Sequence, residues 1–205
     1  MKIHLVDRDT NTAEDLQNWV ADIFEDRPMS KKADFQYPKD KDSSIERKLT
    51  DLKAIKYPLI ALCPCSSESE KDWTPKEAVE FIDKANEDGR IVVFVGANKD
   101  KWFVKEVKGM RDKPFCSLMG NTSIFEIAAL ANKVQAFVSV DTGPMHVSYA
   151  SGAPTVCMFF RSRDFYKWAP KEYKNTLVLH RPEGITGEKA YELVSDFIKQ
   201  QTAEE

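Results

Sequence analysis

Six short apolar runs punctuate the chain from residue 59 onward: Leu59–Cys63, Ile91–Val95, Phe115–Leu118, Phe137–Val140, Thr155–Phe159 and Thr176–Leu179. Each is continuously apolar rather than alternating, the pattern of strands covered on both faces. Helical patterns fill the intervals. Thr74-Pro75-Lys76-Glu77 forms a capping box with proline at the first helical position, Ala78, Phe81, Ile82 and Ala85 line one face, and Gly89 ends the helix. Ser123 and Glu126 repeat the box ahead of Ile127, Ala128 and Ala131, and a last helix carries Ala190, Leu193, Val194, Phe197 and Ile198 on one side. This alternation predicts an α/β fold with a doubly wound parallel sheet, in which ligands bind beyond the carboxyl ends of the strands.

The first quarter of the chain reads differently. Ile3–Val6 is a short strand pattern, and Thr12 caps a helix whose Leu16, Trp19, Val20, Ile23 and Phe24 share one face. Residues 27–45, with Pro28, Pro38 and the cluster Lys39-Asp40-Lys41-Asp42, lack periodicity and read as a linker or loop. The expected organisation is therefore a strand-helix appendage with its linker over 1–56 and a doubly wound α/β domain over 57–205.

Composition narrows the function. Of 205 residues 42% are hydrophobic, enough for a real core, and Lys+Arg 30 against Asp+Glu 33 leaves no basic field for nucleic acid. No stretch approaches the roughly 20 apolar residues of a membrane span, and no signal-peptide core opens the chain, so a cytoplasmic protein is expected. The four cysteines and scattered histidines lack the spacing of a metal site. No P-loop, Gly-x-Gly-x-x-Gly or Gly-x-Ser-x-Gly pattern occurs.

The most informative stretch is Phe137 to Ala150, where an apolar run breaks at Asp141-Thr142-Gly143 and becomes a helix at Pro144. Free N–H groups at such a helix start favour phosphate oxygens, and His146 in the first turn can add a donor. Other polar groups fall at the neighbouring strand ends. Ser66, Ser67 and Lys71 follow the first run, Gly96 to Asp100 the second, Gly120 to Ser123 the third and Phe160-Arg161 the fifth.

These segments carry a family resemblance. Asp141-Thr142-Gly143-Pro144-Met145-His146, with Ala150, Gly152, Pro154 and Thr155–Phe159, resembles the sugar-nucleotide-binding half of the ADP-heptose:lipopolysaccharide heptosyltransferases, the family 9 glycosyltransferases. Cys63-Pro64-Cys65-Ser66-Ser67 with Lys71-Asp72-Trp73-Thr74-Pro75, then Gly96–Asp100, Gly120–Glu126 and Trp168-Ala169-Pro170, resemble further family segments in the same order. His4–Arg8 resembles the segment preceding the family's interdomain linker. Departures are Cys65 and Phe160 at glycine positions, Asp100 for a glutamate and Ser148 for an alanine.

The resemblance implies a Rossmann-like domain, one half of a GT-B fold. An N-terminal domain binding the acceptor and supplying a catalytic base would belong to a partner or lie outside this chain. It implies an ADP-linked sugar as substrate and no metal or other cofactor. Lys71 and the Asp141-Thr142-Gly143 turn would contact the diphosphate, Asp141 the sugar and Asp100 the ribose hydroxyls, with Ser66, Ser67 and His146 completing the site. Lys71 and Asp141 are the catalytic candidates, and Trp102 and Phe103 are placed to stack on a base. Three functions fit: a donor-binding transferase unit, a non-catalytic nucleotide-binding module, or an interaction protein on the same fold. A partner carrying the acceptor site, or self-association, is expected for the first.

Overall fold

The computed structural model of the chain describes residues 34–203 apart from 111, 171 and 172. The strand and helix patterns within residues 3–24, and the start of the 27–45 linker, lie outside the described residues. Helix α1 spans Asp40–Asp51, followed by β1 (Leu59–Cys63), α2 (Pro75–Glu87), β2 (Ile91–Phe94), α3 (Lys101–Met110) and β3 (Cys116–Ser117). The second half runs α4 (Ile124–Ala131), β4 (Ala136–Val140), α5 (Gly143–Ala150), β5 (Thr155–Phe159), α6 (Ser162–Trp168), β6 (Thr176–His180) and α7 (Gly187–Ala203).

The strands form one parallel sheet in the order β3-β2-β1-β4-β5-β6, with Leu62 opposite both Phe94 and Val138. After β3 the chain returns to the centre, lays β4 beside β1 and continues toward the opposite edge. That reversal lies between the carboxyl ends of β1 and β4, the position of the crevice in which open α/β sheets take their ligands.

Every residue of β1, β2, β4 and β5 is buried, and the two-residue period sends their side chains into separate cores. On one face Ile60, Leu62, Phe94, Val138 and Met158 pack with Phe81 and Ile82 of α2, Phe103 and Val107 of α3, and Val194 and Phe197 of α7. On the other, Ala61, Cys63, Val93 and Phe137 meet Ile45 and Leu49 of α1 and Ile127 and Leu130 of α4. Fully burying one such Phe, Leu or Ile stabilises the fold by about 1.5–3 kcal/mol, so both layers are needed to hold the sheet.

Local signals account for the helix ends. Thr74 accepts from the Glu77 N–H at 3.3 Å while the Glu77 carboxylate accepts from Thr74 N at 2.8 Å, and Gly89 leaves α2 with φ +71°. Ser123 and Glu126 make the same reciprocal pair at the start of α4. The third strand is shorter than the Phe115–Leu118 run implies, pairing only Cys116 and Ser117 with β2 at the sheet edge.

One expectation is overturned. The charged stretch after Pro38 is not a linker: α1 begins at Asp40 and buries Ile45 and Leu49 completely or nearly so. Two apolar residues four apart suffice because the helix needs only a narrow contact with α4, and its acidic first turn and basic last turn suit the helix dipole.

Candidate functional site

The loop after β1 is braced before it reaches the crevice. Trp73, almost fully buried, donates from Nε1 to Ile185 O at 3.3 Å, and its backbone N–H bonds Pro64 O at 2.9 Å. Asp72 accepts from Ser66 N at 2.6 Å, and Ser66 Oγ both donates to Glu68 O and accepts from Glu68 N. Ser66 thus shapes the loop with all its polar groups, while Ser67 is exposed on its outer side. Within this frame a short 3₁₀ turn, Ser69–Lys71, delivers Lys71.

Lys71 Nζ lies 3.0 Å from Asp141 Oδ2, 3.0 Å from Glu68 Oε1 and 3.7 Å from Asp164 Oδ2. Asp141 is the first residue beyond β4, so this pair spans the two strands at which the sheet changes direction. Its other oxygen faces His146 Nε2 at 3.7 Å, and His146 Nδ1 is 2.7 Å from Tyr149 Oη. Burial works to raise the Asp141 pKa, but His146 and Lys71 outweigh it and hold the carboxyl below its ordinary value. Burial likewise opposes the Lys71 charge, yet Asp141 and Glu68 shift its pKa upward. The pair is ionised at neutral pH.

Beside Asp141, α5 opens at Gly143 with Thr142 extended and its side chain making no capping hydrogen bond; Pro144 has no N–H and Met145 N donates to Thr142 O, so Gly143 carries the first N–H of the helix. Gly143 is exposed, so the positive end of the helix dipole faces outward at the crevice. The expected grouping of Lys71, Asp141, Thr142, Gly143 and His146 is therefore a single place in the structure.

Asp100 stands apart from that grouping. Its buried carboxylate accepts from Ala97 N at 3.2 Å, capping the turn that leads into α3. Lys99 crosses from this loop to the β1 loop, donating to Ser66 O at 3.2 Å. The two aromatics after Asp100 part company: Phe103 is fully buried against Phe94 and cannot stack on a base, whereas Trp102 is half exposed. Cys65, at a family glycine position, sends its side chain into the core rather than the crevice, and burial pushes its thiol pKa up.

Three acidic neighbours did not emerge from the sequence. Asp164, in the first turn of α6, bonds Arg161 Nε at 2.5 Å, and Arg161 Nη1 reaches Glu68 Oε2 at 2.8 Å and Glu70 Oε2 at 3.2 Å. The Arg161–Asp164 spacing of three is a legible signal; the bridge to Glu68 and Glu70 joins loops after non-adjacent strands and has none. Among the described residues no group of three or more His, Cys, Asp or Glu is placed to hold a metal ion, and no helix is long and apolar enough to cross a membrane. Lys71, Arg161 and a helix start thus bring positive charge to the crevice, set among carboxylates that pair with both cations.

Known proteins share this architecture. Lipopolysaccharide heptosyltransferase 3 of Escherichia coli K12 is 27% identical over 170 residues, covering 82% of this chain and 46% of the relative. A glycosyl transferase family 9 structure from Veillonella parvula superposes with a TM-score of 0.80 at 19% identity, covering 96% of this chain and 62% of that one. The E. coli ADP-heptose lps heptosyltransferase II structure gives 0.72 at 22% identity, covering 87% and 57%. The chain spans less than half the length of the curated relatives it matches. The model of glycosyltransferase family 9 (heptosyltransferase) matches residues 3–192, nearly the whole sequence, and the chain belongs to that family.

Proposed function

We propose that this chain is the donor-binding unit of a glycosyltransferase. It takes a nucleotide-diphosphate sugar, ADP-linked as in the name of the E. coli relative, for transfer to a saccharide acceptor held by another domain or partner. The observation that supports this reading most is the Lys71–Asp141 pair at the β1/β4 crevice, adjoining the uncapped start of α5. Transfer breaks the bond between the anomeric carbon and the diphosphate oxygen, leaving positive charge on the sugar and negative charge on the leaving group. Fixed donors at the departing oxygens lower that barrier. In this reading Lys71 and the Thr142 and Gly143 amides meet the diphosphate, and Asp141 holds Lys71 while facing the sugar.

Calorimetric titration with ADP tests it. Lys71→Ala is expected to weaken ADP binding by about 1–3 kcal/mol, the scale of a charge-assisted hydrogen bond. Unchanged affinity removes Lys71 from the site. Tight ADP binding without hydrolysis or transfer of ADP-heptose, in the presence of an acceptor-binding partner, favours a binding module over a transferase.

A further inference from the structure

Lys71 and Arg161 arrive from different strand ends yet meet on one carboxylate. Glu68 Oε1 lies 3.0 Å from Lys71 Nζ, and Glu68 Oε2 lies 2.8 Å from Arg161 Nη1. A carboxylate with one oxygen on each of two cations reproduces the way a phosphate edge is gripped.

The other carboxylates here are of a different kind. The Asp141 and Asp164 side chains are 7% and 6% exposed, and moving either one would leave a buried charge unpaired. Glu68 is 47% exposed and rises from the loop between Ser66 and Lys71, so it can turn into water at small cost. Hydrogen bonds from Arg161 and Lys71 hold its pKa near 2, which keeps it anionic at neutral pH. Arg161 also has a buried Nη2 with no partner among the described residues, a donor that its present carboxylates leave unused.

We propose that Glu68 is an intramolecular surrogate for the donor's diphosphate, that the diphosphate displaces it, and that Arg161 is thereby a second cationic ligand beside Lys71. This rests on the donor-binding reading above. Donor affinity then reflects two anions competing for the same pair of cations. A ligand without an anion, such as adenosine, does not enter that competition.

The test is calorimetric titration of the full chain and its variants with ADP, inorganic pyrophosphate and adenosine at fixed ionic strength. Glu68→Gln is expected to tighten ADP and pyrophosphate about 3- to 10-fold and leave adenosine unchanged, while Arg161→Gln weakens both anions about 10-fold. If wild type binds ADP, and Glu68→Gln leaves it unchanged or weaker, the surrogate is overturned and the donor reading stands. Tightening of all three ligands alike means a loosened loop rather than removed competition, and also overturns it. ADP binding that is undetectable in every form, or indifferent to Lys71→Ala as well, overturns both readings. Should Arg161→Gln fail to fold, the half-exposed Glu68→Gln, checked by circular dichroism, decides alone.

Discussion

Two carboxylate clusters in this molecule differ in charge balance. Around Glu126 a single carboxylate is fully partnered: Ser44 Oγ and Lys48 Nζ each donate to Oε1 at 2.7 Å, and Ser123 N donates to Oε2 at 2.8 Å. Around Lys71 four carboxylates, Glu68, Glu70, Asp141 and Asp164, gather on Lys71 and Arg161, with the exposed Arg163 3.6 Å from Asp164. The first arrangement ties α1 to α4 and has little else to do. The second brings several carboxylates onto shared cations, which hold Asp141 and Glu68 ionised.

The contrast can be broken first at Glu126. Glu126→Ala is expected to cost about 2–4 kcal/mol in urea denaturation, since it takes the carboxylate from Ser44, Lys48 and Ser123 N, leaving Lys48 only Asn121 O and α4 only the Ser123 hydroxyl cap. A loss below about 1 kcal/mol would show the tether to be ornamental. Acid titration sharpens the point. Burial raises the Glu126 pKa, but Lys48, Ser123 and Ser44 together draw it down to about 2 from an ordinary 4.5. A carboxyl depressed on folding contributes stability that is complete above its unfolded pKa and lost as pH falls through the folded one. Thermal melts should therefore weaken between about pH 4.5 and 2, and Glu126→Gln should flatten that limb.

At the crevice the expected effects on stability are smaller. Asp141→Asn removes a largely buried partner of Lys71, but Glu68 and Asp164 still pair with that ammonium, so unfolding free energy should fall by about 1–2 kcal/mol. A loss as large as that of Glu126→Ala would make the two clusters alike. Smallest of all, Glu70→Gln at the exposed rim should shift stability by less than about 0.5 kcal/mol, measured by the same denaturation.

Much of this was legible in the residue pattern. The central strands show as apolar runs because both faces are covered, and α2 and α4 announce themselves through their capping boxes. Asp141 is legible because it follows the β4 run directly, and Lys71 because Lys71-Asp72-Trp73-Thr74-Pro75 resembles a family segment. Glu68, Glu70 and Asp164 are not, because what unites them is the approach of loops after β1 and β5, set by sheet order rather than spacing. Helix α1, whose start falls within the 27–45 stretch, gives little sign of itself in the sequence because only Ile45 and Leu49 are buried in twelve charge-rich residues. Its tether through Glu126 lies about eighty positions away.

Phe35 N donates to Ala150 O at 2.8 Å, where α5 ends, while the opposite tip of that helix stands at the crevice. Eight helical residues make a rod about 12 Å long. Position 35 is thus tied to the far end of the same rod whose near end borders Asp141.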